Sequence, residues 1–302
     1  IFADQWRRQA VGYEGEDQVI TPNIDTFAQE GTIFSNAVTC SPLCSPHRAS
    51  LLTGRYPSST GVYTNCKVGA DVMLSPDEIG IGDVLAENGY QTGYIGKWHL
   101  DLPELNVSEQ PESGAEGWDA YTPPGPKRHG FQYWYSYGAW DEHLSPHYWQ
   151  DSPEKINVNQ WSVEHETDQA LKYVQNRTND QPFALFLSWN PPHSPFDQVP
   201  EKYKKLYNRV QLASRENVAY SSFSVHTGEE VDGGIKELKE KQLNYFAAIS
   251  GIDDQFSRIL QLLKTEKLEE NTIVVLTSDH GEMMGSHGLM AKHVWYEESI
   301  GV

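Results

Sequence analysis

Short apolar runs that alternate with amphipathic stretches constrain this chain more than any other feature. Thr32–Val38, Gln91–Ile95, Phe183–Trp189 and Thr272–Thr277 read as strands, and the last, TIVVLT, is the unbroken kind expected of a buried parallel strand. Helical spacing marks Asp77–Asn88, closed by Gly89, then Ser162–Gln175 and Lys236–Leu263. Alternation of this kind predicts an α/β fold with a mostly parallel central sheet flanked by helices. In such sheets, sites gather just beyond the carboxyl ends of strands. Polar residues follow three of the runs directly: Lys97 and His99 after QTGYI, His193 after FALFLSW, and Asp279-His280-Gly281-Glu282 after TIVVLT.

The chain has 302 residues, of which 38% are apolar and 12% aromatic, enough for a sizeable core. Its 42 acidic residues against 23 lysines and arginines give a net charge of −19. That excludes a sequence-independent nucleic-acid binder, which must neutralise many phosphates. An anionic substrate would need a local cationic pocket, because the overall field repels it. No apolar run reaches the roughly 18 residues of a membrane span. Cys40, Cys44 and Cys66 are too few for a disulfide scaffold, and their odd count leaves at least one unpaired.

Both ends read as cut. Ile1-Phe2-Ala3-Asp4 looks like the tail of a strand, and Ser299-Ile300-Gly301-Val302 stops inside an apolar run. The expectation is one α/β domain over residues 1–302, trimmed at both ends, so a missing leader says nothing about compartment. Between about 101 and 160 the pattern changes to a Pro-Pro-Gly-Pro turn and a dense aromatic group from Trp118 to Trp149. Two readings stay open there: an irregular insertion packed by its own rings, or a wall facing substrate, since sugars and aryl groups stack on such rings.

The segment Cys40–Arg55 reads CSPLCSPHRASLLTGR. Pro46 suits a first helical turn, Gly54 can close the helix, and Cys44 then lies at the helix N-terminus, where amide donors favour an anion. The string resembles the maturation signature of the type I sulfatases, C-x-P-x-R followed by L-T-G-R, matched by Cys44, Pro46, Arg48 and Leu52 to Arg55. The resemblance implies the alkaline-phosphatase-like sulfatase fold, with the smaller C-terminal subdomain of that family absent here. It also implies that a maturation enzyme oxidises Cys44 to formylglycine, whose hydrated aldehyde is the nucleophile on a sulfate monoester of a carbohydrate or aryl alcohol.

The same resemblance assigns the remaining candidates, each of which alone reads as an ordinary cap or loop residue. Asp4, Gln5, Cys44, Asp279 and His280 match the family's divalent-metal site. Gln5 stands where many members carry an aspartate, and His280 where they often carry asparagine. Hard oxygen ligands point to Ca2+, with Mg2+ or Mn2+ as alternatives. Lys97 in Gly96-Lys97-Trp98-His99 matches a sulfate-binding lysine and His99 the base that helps release sulfate, both pointing one way if the backbone is extended. His193, in a loop that flanking prolines should hold extended and rigid, matches the general acid. Lys292 matches a second sulfate-binding lysine, and Arg48 joins the cations. Family habit places such enzymes outside the cytoplasm, secreted or periplasmic in bacteria and lysosomal in animals. Two rivals remain: a phosphonate or phosphate monoester hydrolase of the same superfamily, and a non-catalytic binder of sulfated glycans.

Overall fold

The computed structural model describes residues 1–178, 181–213, 215–219, 222–224, 230–231 and 234–302. Its central sheet has five strands: β1 (Phe2–Ala3), β2 (Gln91–Lys97), β3 (Tyr133–Tyr137), β4 (Phe183–Trp189) and β5 (Thr277–Ser278), in the order β3-β2-β4-β1-β5. Both β3 and β4 run parallel to β2, with Tyr94 opposite Trp134 on one side and Phe186 on the other. The main helices are α1 (Pro22–Glu30), α2 (Cys44–Thr53), α3 (Ile81–Glu87), α4 (Ser162–Gln175) and α5 (Gly234–Thr265). The fold is therefore α/β with a mostly parallel central sheet. Contacts divide the chain into two compact units.

The first unit comprises Ile1–Phe2, Leu43–Trp189 and Val274–Leu276. One side of β2 is packed by rings: Tyr94 meets Trp98 edge-on at 4.9 Å and stacks on Trp134 at 5.4 Å, in a core that also holds Phe2, Ala49, Leu52 and Phe131. Ala49 and Leu52 bring α2 into this core, and each buried leucine-sized side chain stabilises by about 1.5–3 kcal/mol. Gly54 ends α2 in the left-handed conformation (φ 67°), its N–H donating to the Ser50 carbonyl at 2.8 Å.

The second unit comprises Ala3–Pro42, Asn190–Ile273 and Thr277–Val302. Tyr245, Ile249, Ile252, Phe256, Ile259 and Leu263 are buried, which puts helical periodicity on one face of α5. Phe256 meets Phe27 of α1 edge-on at 5.1 Å. Asp253 accepts from the Ile24 and Asn23 amides at 2.7 and 3.3 Å, so α5 caps the exposed donors at the start of α1.

Three sequence expectations shift. Thr32–Val38 is not a strand: Ala37 N–H donates back to the Phe34 carbonyl at 3.1 Å in a turn, and Phe34 is 76% exposed. Of the TIVVLT run only Thr277 enters the ladder, in a strand completed by Ser278, and Ile273 is 92% exposed. The run lies at the sheet edge beside a two-residue β1, so among the described residues most of it pairs with no strand. The helix expected from Asp77 begins at Ile81, because the Asp83 carboxylate accepts from the Gly80 N–H at 2.8 Å and fixes the start there. Within the aromatic stretch, residues 133–137 are β3 of the central sheet.

Candidate active site

In the first unit, Cys44 opens α2 after an extended Leu43, and it is buried and in no disulfide. The next amide, Ser45 N–H, donates to Asn65 Oδ1 at 3.1 Å, and Ser45 Oγ donates to the His99 carbonyl at 2.7 Å. Arg48 follows one turn later, also buried. Its Nη1 donates to the Lys97 carbonyl at 2.6 Å and to Ser188 Oγ at 2.7 Å. Tyr94 OH and Ser188 Oγ reach the same carbonyl at 2.7 and 2.8 Å. This oxygen thus gathers donors from β2, α2 and β4, which pins the backbone from which the buried Lys97 side chain leaves.

His99 is buried and left-handed at φ 54°, so the backbone is not extended through it and the expected common direction with Lys97 does not follow. The Cys66 carbonyl lies 3.1 Å from its Nε2, which places the ring proton there and makes Nδ1 the basic nitrogen.

In the second unit, Asp4, Asp279 and His280 are fully buried, and their ligand atoms lie within 4.8 Å of one another. His280 Nδ1 faces the Gly281 carbonyl at 3.0 Å and must donate to it. Its Nε2 lone pair then points toward Asp4 Oδ1 at 3.4 Å and Asp279 Oδ1 at 3.5 Å. Burial lowers the His280 pKa and favours the neutral ring, against the opposing pull of Asp279 and Asp4. Two carboxylates and a neutral imidazole are a donor set that fits a divalent cation.

Gln5 sits beside this group in left-handed backbone (φ 66°), its N–H donating to Asp279 Oδ1 at 3.0 Å. Its side-chain amide bridges two charges: Oε1 accepts from Lys292 Nζ, and Nε2 donates to Glu282 Oε2. Lys292, buried, also reaches His193 Nε2 at 2.9 Å. His193 is half-buried in a turn closed by its own N–H on the Asn190 carbonyl at 3.0 Å, rather than in an extended loop.

Sequence reasoning missed several of these partners. Glu282 was visible in Asp-His-Gly-Glu but carried no assigned role; buried, it accepts from the Met284 and Ala291 amides at 2.9 and 2.6 Å, and burial raises its pKa. Tyr94, Ser188 and Tyr245, whose hydroxyl donates to the Gln5 carbonyl at 2.8 Å, sit inside apolar segments that read only as core.

The sulfatase family model matches residues 1–302. This chain belongs to the sulfatase family. Among curated sulfatases, the endo-4-O-sulfatase of Bacteroides thetaiotaomicron is 37% identical over 323 residues, covering 100% of this chain and 62% of that protein. The ulvan-active sulfatase of Formosa agariphila is 36% identical over 306 residues, covering 100% of this chain and 54% of that protein. The solved structure of yidJ from Bacteroides fragilis superposes with a TM-score of 0.88 at 37% identity, over 99% of this chain and 65% of that one. The chain thus spans between half and two thirds of the length of these sulfatase relatives. Sulfatase membership implies a metal ion and a formylglycine. The buried acceptors of Asp4, Asp279 and His280 fit a metal ion on their own chemistry. Among the described residues, no helix is long and apolar enough to cross a membrane.

Proposed function

We propose that this chain is the catalytic α/β part of a sulfatase that hydrolyses sulfate monoesters of a glycan, and that Cys44 is the residue matured to formylglycine. The observation that carries the reading is the Cys44-Ser45-Pro46-His47-Arg48 string, buried at the start of α2 in a chain matched to the family along its whole length. The names of the endo-4-O- and ulvan-active relatives support a sulfated polysaccharide over a phosphonate ester. A secreted or periplasmic location suits a substrate of that size.

A sulfate monoester is a weak electrophile wrapped in negative charge, so the site must balance its oxygens and protonate the leaving alcohol. In this reading Lys97, Lys292 and Arg48 supply the positive charge. Lys97 can be aimed because its carbonyl is held by hydrogen bonds from Tyr94, Arg48 and Ser188. Lys292 presents a proton at His193 Nε2, and the pair passes one proton to the alcohol oxygen as its bond to sulfur breaks. His99 Nδ1 accepts a proton from the nucleophile side when sulfate is released. Asp4, Gln5, Asp279 and His280 would hold the divalent cation, and the resemblance to the family assigns the matured Cys44 to the same ligand set. Calcium is the first choice and Mg2+ or Mn2+ the alternatives, because the set is mostly hard oxygen with one imidazole. When bound, the cation supplies Lewis-acid stabilisation of the sulfate oxygens, and the hydrated formylglycine supplies the nucleophile.

The test is the full-length protein, produced with a formylglycine-generating enzyme and assayed on matched sulfate, phosphate and phosphonate esters. Mass spectrometry of the Cys44 peptide should show aldehyde in place of thiol, and Cys44→Ala should abolish turnover. Full activity of Cys44→Ala, or a sulfate ester that is by far the poorest substrate, refutes the reading.

A further inference from the structure

The aromatic stretch that read either as packing or as a substrate wall resolves unevenly. Phe131, Trp134, Tyr135, Tyr137, Tyr148 and Trp149 are buried and belong to the interior of the first unit. Trp118 differs: the residue is 44% exposed, yet its indole is stacked on the His99 ring, with centroids 6.3 Å apart and planes at 29°. A large ring is therefore presented to solvent directly beside the histidine assigned to sulfate release.

Its backbone is fixed. Asp119, the next residue, is fully buried, and its Oδ1 accepts from the Gly138 and Ala120 amides at 2.7 and 3.0 Å. Its Oδ2 pairs with His147 Nε2 at 2.6 Å. The turn is closed by Asp119 N–H on the Glu116 carbonyl at 3.1 Å, with Gly117 left-handed at φ 58°. An indole held this way loses little conformational freedom on binding and offers a flat apolar face, which suits the C–H face of a pyranose while the hydroxyl rim stays in water.

We infer that Trp118 is a specificity-determining residue whose indole receives the sugar ring bearing the sulfate. The inference rests on the sulfatase reading above and assigns His99's neighbour a role in choosing the alcohol. The shared chemistry is a six-membered ring with an apolar face, so an aryl group competes for the same platform.

The test is calorimetric binding to full-length protein carrying Cys44→Ala, which cannot be matured and does not turn over. Three ligands are compared: a sulfated hexosamine disaccharide, an aryl sulfate and a linear alkyl sulfate. Adding Trp118→Ala should weaken disaccharide binding by roughly tenfold and leave the alkyl sulfate unchanged, while Trp118→Phe keeps most of the affinity. A larger loss for the aryl sulfate than for the disaccharide would reassign the platform to an aryl alcohol and overturn the sugar assignment. Equal affinity with and without the indole, or equal weakening of all three ligands, would reduce Trp118 to a cover over His99. If the Cys44→Ala protein binds none of the three sulfates, the sulfatase reading itself fails and this inference falls with it.

Discussion

Lys292 donates a hydrogen bond from Nζ to His193 Nε2 across 2.9 Å, while His193 Nδ1 donates to the Ser194 carbonyl at 2.7 Å. The tautomer of His193 is thereby set, and its Nε2 is the atom at which a proton arrives or leaves. The need for that proton depends on how poor the leaving alcohol is. His193→Ala should therefore lower kcat by about 10²–10⁴ on a sulfated sugar, and far less on a nitrophenyl sulfate whose phenolate leaves unaided. Parallel kcat measurements on the two esters check this, and equal losses would remove His193 from acid catalysis.

The acceptor group of Asp4, Asp279 and His280 should bind a divalent cation with a gain in stability as well as in activity. At Ca2+ about a hundredfold above its Kd, the gain is about 2.7 kcal/mol, visible as a higher melting temperature that a chelator reverses. Asp4→Asn should lose most of that calcium-dependent shift. A shift of the same size in the variant would place the ion elsewhere.

The Lys97 carbonyl offers a test of positioning. Ser188→Ala removes one of its donors, and with it the hydroxyl acceptor of Arg48 Nη1, while Tyr94 and Arg48 still reach the carbonyl. The cost in stability should be about 2–4 kcal/mol, for one neutral hydrogen bond and one from a charged donor. A several-fold fall in kcat with KM unchanged, across esters of different alcohols, would mark the loss of aim at Lys97; an unaltered kcat would limit Ser188 to stability. Gly96→Ala should be far worse, because its φ of 96° disfavours a side chain and the added Cβ would lie 2.1 Å from the Ser188 carbonyl oxygen. A chevron or melting comparison would separate this folding defect from a catalytic one.

Glu166 is buried on α4, and Tyr148 OH donates to its Oε1 at 3.0 Å. Burial holds its pKa well above the ordinary 4.5, even though Tyr148 and Arg48 pull it down. The folded chain therefore keeps a proton that the unfolded chain releases. Its contribution is full below pH 4.5 and is lost as pH rises toward the folded value. Glu166→Gln should fold and should flatten the decline in stability as pH rises above 4.5, followed by urea unfolding at several pH values. An identical slope in the variant would show that Glu166 is ionised in the fold.

By itself the sequence determined what local chemistry can encode. The helix over Cys44–Thr53 was legible because Pro46 sets its first turn and Gly54 its end, and β4 because its apolar run is continuous. The residues beyond the strand ends were legible as candidates, because parallel sheets put sites there. Tertiary structure decided which partners those residues meet. Lys292 and Gln5 are 287 positions apart, and Ser188 and the Lys97 carbonyl are 91 apart, so no spacing rule could pair them. It also separated Trp118 from the other aromatics of its stretch, and left TIVVLT largely outside the ladder. Burial and hydrogen-bond partners are set by long-range packing, whereas helix caps and turn glycines act within a few residues along the chain.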